Sequence, residues 1–344
     1  MLNRRDRRNP NKAIVHVTNR TKEGLPFIAR MFMKLIILGI MARGQKKYNV
    51  QICHFIWMMN HYHMILAGRG KHISPFIGYV EAEVAKAVKR LTFIFGDRVG
   101  NVWERRFREQ KICTGNDVIR MIAYAYANPV KAGLVAKAIQ WKGCSSLEMY
   151  LSGTNSYIAS WLPSRKMKKL PLYVTHKVDI ELVKWFKSIV EERDVLRIMP
   201  NIWKNFLPET KNWTDAYILR QVLDSIKQIE EMAKKSHGHF MGMKAVQQQA
   251  VNRRYIPEKK GRTPFLICGD DELRVQEILS YRDFCKQCKK AFKQWKQGIY
   301  TAKYVYGAYR PGMSILGNLR AEVAKISKKA IKKAEVRKAF TFTI

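Results

Sequence analysis

Residues 48–68, YNVQICHFIWMMNHYHMILAG, decide how the rest of the chain is read. Val50 to Trp57 and His61 to Ala67 are two apolar, aromatic-rich runs separated by Met58-Met59-Asn60, the pattern of two strands with a short connection. Both faces of each run are apolar, so the pair is expected as central strands covered on both sides. Side chains repeat every second residue along a strand, which sets His61 and His63 on one face with their α-carbons about 6.6 Å apart. Two imidazoles at that spacing can converge on one divalent cation. They can equally be core histidines satisfied by backbone carbonyls, and H-x-H by itself does not separate the two.

Upstream of this stretch, Ala13 to Asn19 reads as a first strand with Arg20 at its end. Phe27 to Met41 then carries apolar residues at helical spacing until the basic ARGQKK ends it. Downstream, AGRGKHIS at 67–74 is a Gly-rich turn, and Pro75 to Gly96 has the pattern of an amphipathic helix with Lys86, Lys89 and Arg90 on its wet side. Asn101 to Thr114 alternates as a strand, with Trp103, Arg105 and Phe107 on one side. Asn116-Asp117 can cap the next helix, which runs to Asn128 before Pro129 stops it. Strand, helix, strand, strand, helix, strand, helix predicts an α+β sandwich with an antiparallel sheet.

In the helix before Pro129, Tyr124 and Asn128 stand four residues apart and share a face. Tyr126 is rotated about 200° from Tyr124 and does not. A phenol beside an amide oxygen able to ligate a cation suits phosphoryl transfer, with tyrosine as covalent nucleophile. The same two residues also describe a packed aromatic and a helix stop before proline.

The charge balance narrows the partner. Lys plus Arg is 64 against 27 Asp plus Glu, a net +37 with a pI near 10.1, and nucleic-acid phosphate is the commonest polyanion able to neutralise it. A membrane is disfavoured, because the longest apolar run, Phe27 to Met41, is interrupted by Arg30 and Lys34 and is too short to span. The start, MLNRRDRRNPNK, has no apolar segment behind it and does not read as a secretory signal. Six cysteines scattered through a chain with a full core are the usage of a reducing compartment, so a cytoplasmic, nucleoid-associated protein is expected. The polar stretch at 153–172 is the expected linker between a first domain, 1–152, and a basic, mainly helical nucleic-acid-binding region, 173–344. In that region Cys285-Lys-Gln-Cys288 has the spacing of half a zinc site, for which Cys268 or His237 and His239 would supply the rest. Inert cysteines on a helix are the other reading of it. The Lys-rich tail from Arg320 to Arg337 is expected to contact a nucleic-acid backbone.

The motifs taken together resemble a known family. A strand ending His-Val-Thr-Asn-Arg20, then Met-Asn-His61-x-His63, then Trp103-Glu-x-Arg-Phe, then Tyr124-x-x-x-Asn128-Pro-Val-Lys131-Ala-Gly-Leu-Val135 is similar to the single-tyrosine HUH transposases, nearest to the REP-associated tyrosine transposases of bacteria. The resemblance spans about residues 13–150. It implies a ferredoxin-like α+β nuclease domain acting on single-stranded DNA at hairpins, through a 5′-phosphotyrosine link and a free 3′-OH. By this resemblance Tyr124 is the nucleophile, and His61, His63 and Asn128 are ligands of Mg²⁺ or Mn²⁺. Tyr62 departs mildly from the bulky apolar residue usual between the histidines, and Ala127 from a residue often longer. Arg20, Trp103, Arg105, Arg106, Arg108 and Lys131 are candidates to line the DNA path, by stacking and phosphate contact. A homodimer is compatible with this reading. Two other readings use the same motifs, a domesticated hairpin DNA- or RNA-binding regulator without cleavage activity and a replication initiator or relaxase. Filled catalytic positions disfavour the first, and the lack of a helicase-type phosphate loop disfavours the second.

If the charge is there for phosphate, affinity for single-stranded DNA falls steeply with salt. The logarithm of the binding constant should drop by about 0.7 per neutralised phosphate for each unit in the logarithm of salt. A flat titration by fluorescence anisotropy would remove the argument from charge.

Overall fold

The computed structural model describes residues 13–26, 31–91, 100–169, 179–190, 192–249, 264–305 and 308. Strand β1 (Ala13–Arg20) is followed by helix α1 (Met31–Tyr48), strands β2 (Gln51–Trp57) and β3 (His61–Gly68), and helix α2 (Gly70–Arg90). Strand β4 (Arg108–Ile112) and helix α3 (Gly115–Tyr126) complete this part. Asn49, at φ 50°, makes the left-handed turn from α1 into β2, a conformation that asparagine tolerates better than most residues. These strands lie in the order β2-β3-β1-β4 with every pair antiparallel, the arrangement of a split βαβ unit.

The pleat of β3 sorts its side chains between two helical layers. Tyr62 donates its O–H to Glu81 Oε1 of α2 at 2.7 Å, while the next residue, His63, packs edge-on against Tyr124 of α3 with ring centroids 5.5 Å apart. α1 and α2 pack together, and α3 lies on β2 and β3.

The sheet departs from the expectation in two ways. β2 is an edge strand, yet all of it beyond Gln51 is buried. Its outer edge is closed by loops: the N–H groups of Trp57 and Phe55 donate to Cys144 O at 2.7 Å and Ser146 Oγ at 2.9 Å, and Met199 N–H donates to Ile52 O at 2.8 Å. The sheet is also mixed, because a two-residue strand at Leu266–Ile267 adds parallel to β4. Between Asn101 and Phe107 there is no continuous strand; Trp103 makes a single bridge to Thr21, and pairing with β1 begins at Arg108. Helix α3 is capped by Thr114, whose Oγ1 accepts from Asp117 N–H, two residues before the Asn116 that the sequence offers as cap.

Within 153–172, strand β5 (Ser156–Trp161) pairs antiparallel with β6 (Glu192–Arg197), which follows helix α4 (Asp179–Ile189). This two-stranded sheet lies against α1, where Arg43 and Lys46 reach the buried Asp194 at 3.1 and 2.9 Å. Ser156 is exposed on that sheet, and Ser160, Pro163 and Ser164 are half-buried. Helix α5 (Asp215–Ser236) packs on α3. Strand β7 (Leu266–Ile267) then pairs parallel to β4 through Lys111–Leu266 and Ile112–Ile267, and helix α6 (Asp271–Lys296) follows. Among the described residues from 179 on, the chain is mainly helical, with two strands, one of them a member of the main sheet. The Lys-rich tail from Arg320 lies outside the described residues.

The chain divides into two compact units, one of Arg4–Ser280 and one of Met1–Asn3 with Tyr281–Ile344. In the second, the described part of α6 carries the stacked pairs Tyr281–Phe284 and Phe292–Trp295. No helix among the described residues is long and apolar enough to cross a membrane.

The contact of α1 with β5 depends on a glycine. A Cβ built on Gly39 would overlap the carbonyl oxygen of Ser160, and a backbone atom cannot swing aside. Gly39→Ala should therefore destabilise the protein by about 1–3 kcal/mol despite the better helix propensity of alanine. A urea midpoint equal to or above that of the parent protein would show that β5 is not seated on α1.

Candidate active site

The face of β3 turned toward α3 brings His61 and His63 to the amide of Asn128, at the start of the helical turn Asn128–Lys131 that continues α3. His61 Nε2 is 3.3 Å from Asn128 Oδ1, and His63 Nε2 is 3.2 Å from Asn128 Nδ2. One amide thus bridges the two imidazoles, and Tyr124 stands a turn earlier against the His63 ring.

The hydrogen bonds behind these groups fix where their protons are. Gln110 Nε2 donates to the carbonyl of Pro264 at 3.0 Å, which turns Gln110 Oε1 toward His16 Nδ1 at 3.1 Å. An amide oxygen only accepts, so His16 carries its proton on Nδ1. His16 is neutral, because burial lowers it to about 4 against the opposing hydrogen bond of Gln110. Its Nε2 is then an acceptor, and the bond of 2.8 Å to His63 Nδ1 must be donated by His63. The two rings lie within 13° of parallel, as an in-plane N–H···N bond requires. His63 is consequently left with a bare lone pair on Nε2, pointing at Asn128. Burial, followed by the charges of His16 and His61, holds it well below the ordinary histidine range and keeps it neutral.

The second imidazole reaches the same state by a different route. His61 Nδ1 lies 2.8 Å from Asn60 Oδ1 and Nε2 lies 3.3 Å from Asn128 Oδ1; a neutral ring donates to one of them, and the shorter contact, to Asn60, leaves the Nε2 lone pair toward Asn128. Burial lowers His61 to about 4; the Asn128 oxygen acts the other way, and the nearby Arg20 adds to the lowering. Asn128 offers one NH₂ and one C=O to two lone pairs. It satisfies His63, and its oxygen faces the lone pair of His61 with no proton between them; turning the amide over moves the mismatch to His63. A buried acceptor without a donor costs about 1–3 kcal/mol. Two imidazole nitrogens and an amide oxygen converging without protons fit a divalent cation. Among the described residues no group of three or more His, Cys, Asp or Glu is placed to hold a metal, and this set has two histidines and an amide.

The two tyrosines of α3 are separated by the structure. Tyr126 is wholly buried; its hydroxyl meets His54 Nδ1 at 2.7 Å and Ser146 Oγ at 2.9 Å, and burial raises its pKa far above the ordinary value. Tyr124 is half-buried, beside His63, with Lys131 Nζ 4.6 Å above its ring.

Arg20 lies directly across from His61 in the β1–β3 pairing and forms a two-pronged ion pair with Glu104, one contact of it at 2.8 Å. That bond, more than the further charges of Arg105 and Arg108, holds the Glu104 carboxyl below its usual range. Partial burial and then the charges of Arg105 and Arg20 depress Arg108, so these three arginines form one cluster beside His61. Arg105 and Arg106 are exposed, and no described contact ties Arg106 to the cluster. Trp103 serves the framework: its indole N–H donates to Glu81 O at 2.9 Å, and its ring packs on Trp57 and Tyr62. His16, Gln110 and Asn60 are participants that sequence reasoning assigned no role. A histidine two residues before Thr18 in an otherwise apolar strand was the available signal. The Cys268 thiol donates to Asp270 O at 3.3 Å, and His237 Nε2 meets Lys131 O at 3.1 Å.

No protein-family model matches the chain, and no curated protein matches it. Among solved structures it is similar to a REP-associated tyrosine transposase bound to a REP hairpin, with 18% sequence identity over 41% of this chain and 81% of that chain. The TM-score is 0.34, a distant likeness.

Buried neutral histidines make folding sensitive to acid. His16 and His61 are lowered to about 4 and His54 to about 3, each by burial first, from an ordinary 6.5. Unfolded chains take up these protons below about 6.5 while the folded protein does not, so stability is complete above that pH and declines as pH falls toward 4. Each group contributes up to about 1.4 kcal/mol per pH unit within its window. Denaturant midpoints should fall clearly between pH 7 and pH 5; a constant midpoint would mean that these imidazoles are not held neutral.

Proposed function

We propose that the protein is a metal-dependent single-stranded DNA endonuclease and strand transferase that acts at hairpin-containing DNA, with Tyr124 as nucleophile. The observation that carries this reading is the convergence of the unprotonated Nε2 atoms of His61 and His63 on the Asn128 amide, one helical turn from Tyr124. Both histidines and Asn128 would hold one Mg²⁺ or Mn²⁺. Bound there, the ion supplies Lewis-acid withdrawal of charge from the scissile phosphate. Neutral nitrogen and amide-oxygen donors bring no negative charge, which leaves the DNA phosphate to provide it.

In the proposed step the Tyr124 oxygen attacks phosphorus, the phenol proton passes to water, and the bond from phosphorus to the 3′ oxygen breaks. That oxygen takes a proton and becomes a free 3′-OH, while the 5′ phosphate stays on tyrosine. A phosphodiester is exchanged for a phosphodiester, so a 3′-OH can reverse the step on the same or another strand. The Arg20, Arg105 and Arg108 cluster and Lys131 supply positive charge along the backbone path. Gln110 and His16 orient His63 so that the correct nitrogen faces the reacting centre.

Incubated with single-stranded hairpin oligonucleotides and Mn²⁺, the protein should leave a covalent protein–DNA adduct visible on a denaturing gel. Tyr124→Phe should abolish the adduct and retain binding to within about three-fold, whereas Tyr126→Phe should form it. Chelation should stop cleavage and added Mg²⁺ or Mn²⁺ restore it. An adduct with Tyr124→Phe, or cleavage undiminished in chelator, would return these residues to a packing role, and hairpin binding with no adduct or cleavage by the parent protein would favour a binding protein that does not cut.

A further inference from the structure

A cleft of about 810 Å³ runs along the face of α3 that carries Tyr124. Resting on the reading of Tyr124 as the attacking group, we propose that this cleft receives one unstacked nucleobase of the nucleotide next to the scissile phosphate and so sets the sequence preference of the cut. Arg120, Met121 and Tyr124 form its α3 side, at the helical spacing that puts them on one face. Gln228 and Ile229 of α5 close it on one side, and Phe265, just before β7, on another.

The lining indicates what fits. Met121, Ile229, Phe265 and the Tyr124 ring give apolar and aromatic walls, which suit the faces of a planar heterocycle and not a bare phosphate. The two arginines that line it are already paired, Arg120 with the buried Asp117 and Arg274 with Asp271. Gln228 is exposed at the rim, and its amide both donates and accepts, as the edge of a base requires. The volume lies in the range of small-ligand sites and admits a base with its sugar. A single strand already lacks pairing partners, so turning one base into a pocket costs little. Because Tyr124 belongs both to the histidine site and to the cleft wall, a strand whose phosphate is at the tyrosine oxygen has its neighbouring base at the cleft. The other walls come from α5 and the β7 segment, outside the residues that carry the chemistry. Base choice can therefore change while the reacting groups stay in place.

The test is a library of single-stranded hairpin oligonucleotides with the nucleotides on both sides of the break randomised, cleaved in Mn²⁺ and sequenced. The parent protein should favour one base at a flanking position by about ten-fold or more. Ile229→Trp, which fills the cleft, should flatten that preference to about two-fold or less, with far-ultraviolet circular dichroism confirming the fold. Gln228→Ala, an exposed change that folding tolerates, should shift which base is preferred. Cleavage with no flanking preference, or with the same preference in both variants, overturns the pocket and leaves the nuclease reading standing. Absence of any cleavage by the parent protein overturns both.

Discussion

Imidazoles buried side by side must stay neutral, and a neutral imidazole must keep its single proton on one nitrogen or the other. In this protein the choice is made at a distance from the site. The Pro264 carbonyl orients the Gln110 amide, Gln110 selects the protonated nitrogen of His16, and His16 selects that of His63. The chain of bonds ends in a lone pair facing Asn128, and Asn60 prepares His61 in the same way. Nothing in this arrangement requires a charged ligand. The site is assembled by burial and hydrogen-bond direction, which bring two imidazoles and an amide together in a geometry already set.

The same pleat that aims the histidines keeps the rest of β3 out of the chemistry. Tyr62 and Glu81 join Asn19, whose amide donates to Glu81 at 2.7 Å and to Arg105 O at 2.8 Å, and Trp103 closes over them. This network on the α2 side fixes the loop that presents the arginines. On the α3 side, a rotation of two residues along one helix decides between a tyrosine locked into the core through His54 and Ser146 and a tyrosine left beside the site. The difference between them is their neighbours.

Charge acts at two scales. The net +37 gives a long-range attraction for any polyanion. Near His61 the arginines are arranged around Glu104, which neutralises part of the cluster and holds Arg20 in one orientation. An exposed ion pair of this kind adds little stability. Its consequence is positional: guanidinium groups stay close to one another and to the histidines despite their repulsion.

The order of strands and helices, the shared face of His61 and His63, and the one-turn relation of Tyr124 to Asn128 follow from periodicity, which is a local property that a sequence carries openly. Periodicity left both histidines free to be ordinary core residues, because it fixes direction along one element and says nothing of what stands opposite. Tertiary structure decided that. It brought Asn128 between the two rings, set His16 behind His63, 47 residues away in the chain, and Gln110 behind His16, 94 residues away, and tied the Trp103 indole to the Glu81 carbonyl. It also paired Ser156–Trp161 of the polar 153–172 stretch with β6 and laid β7, only two residues long, beside β4, pairings set by distant partners that local pattern does not name. Proton positions belong wholly to that second level: a tautomer is chosen by the partner across the bond, and no spacing along the chain records who that partner is.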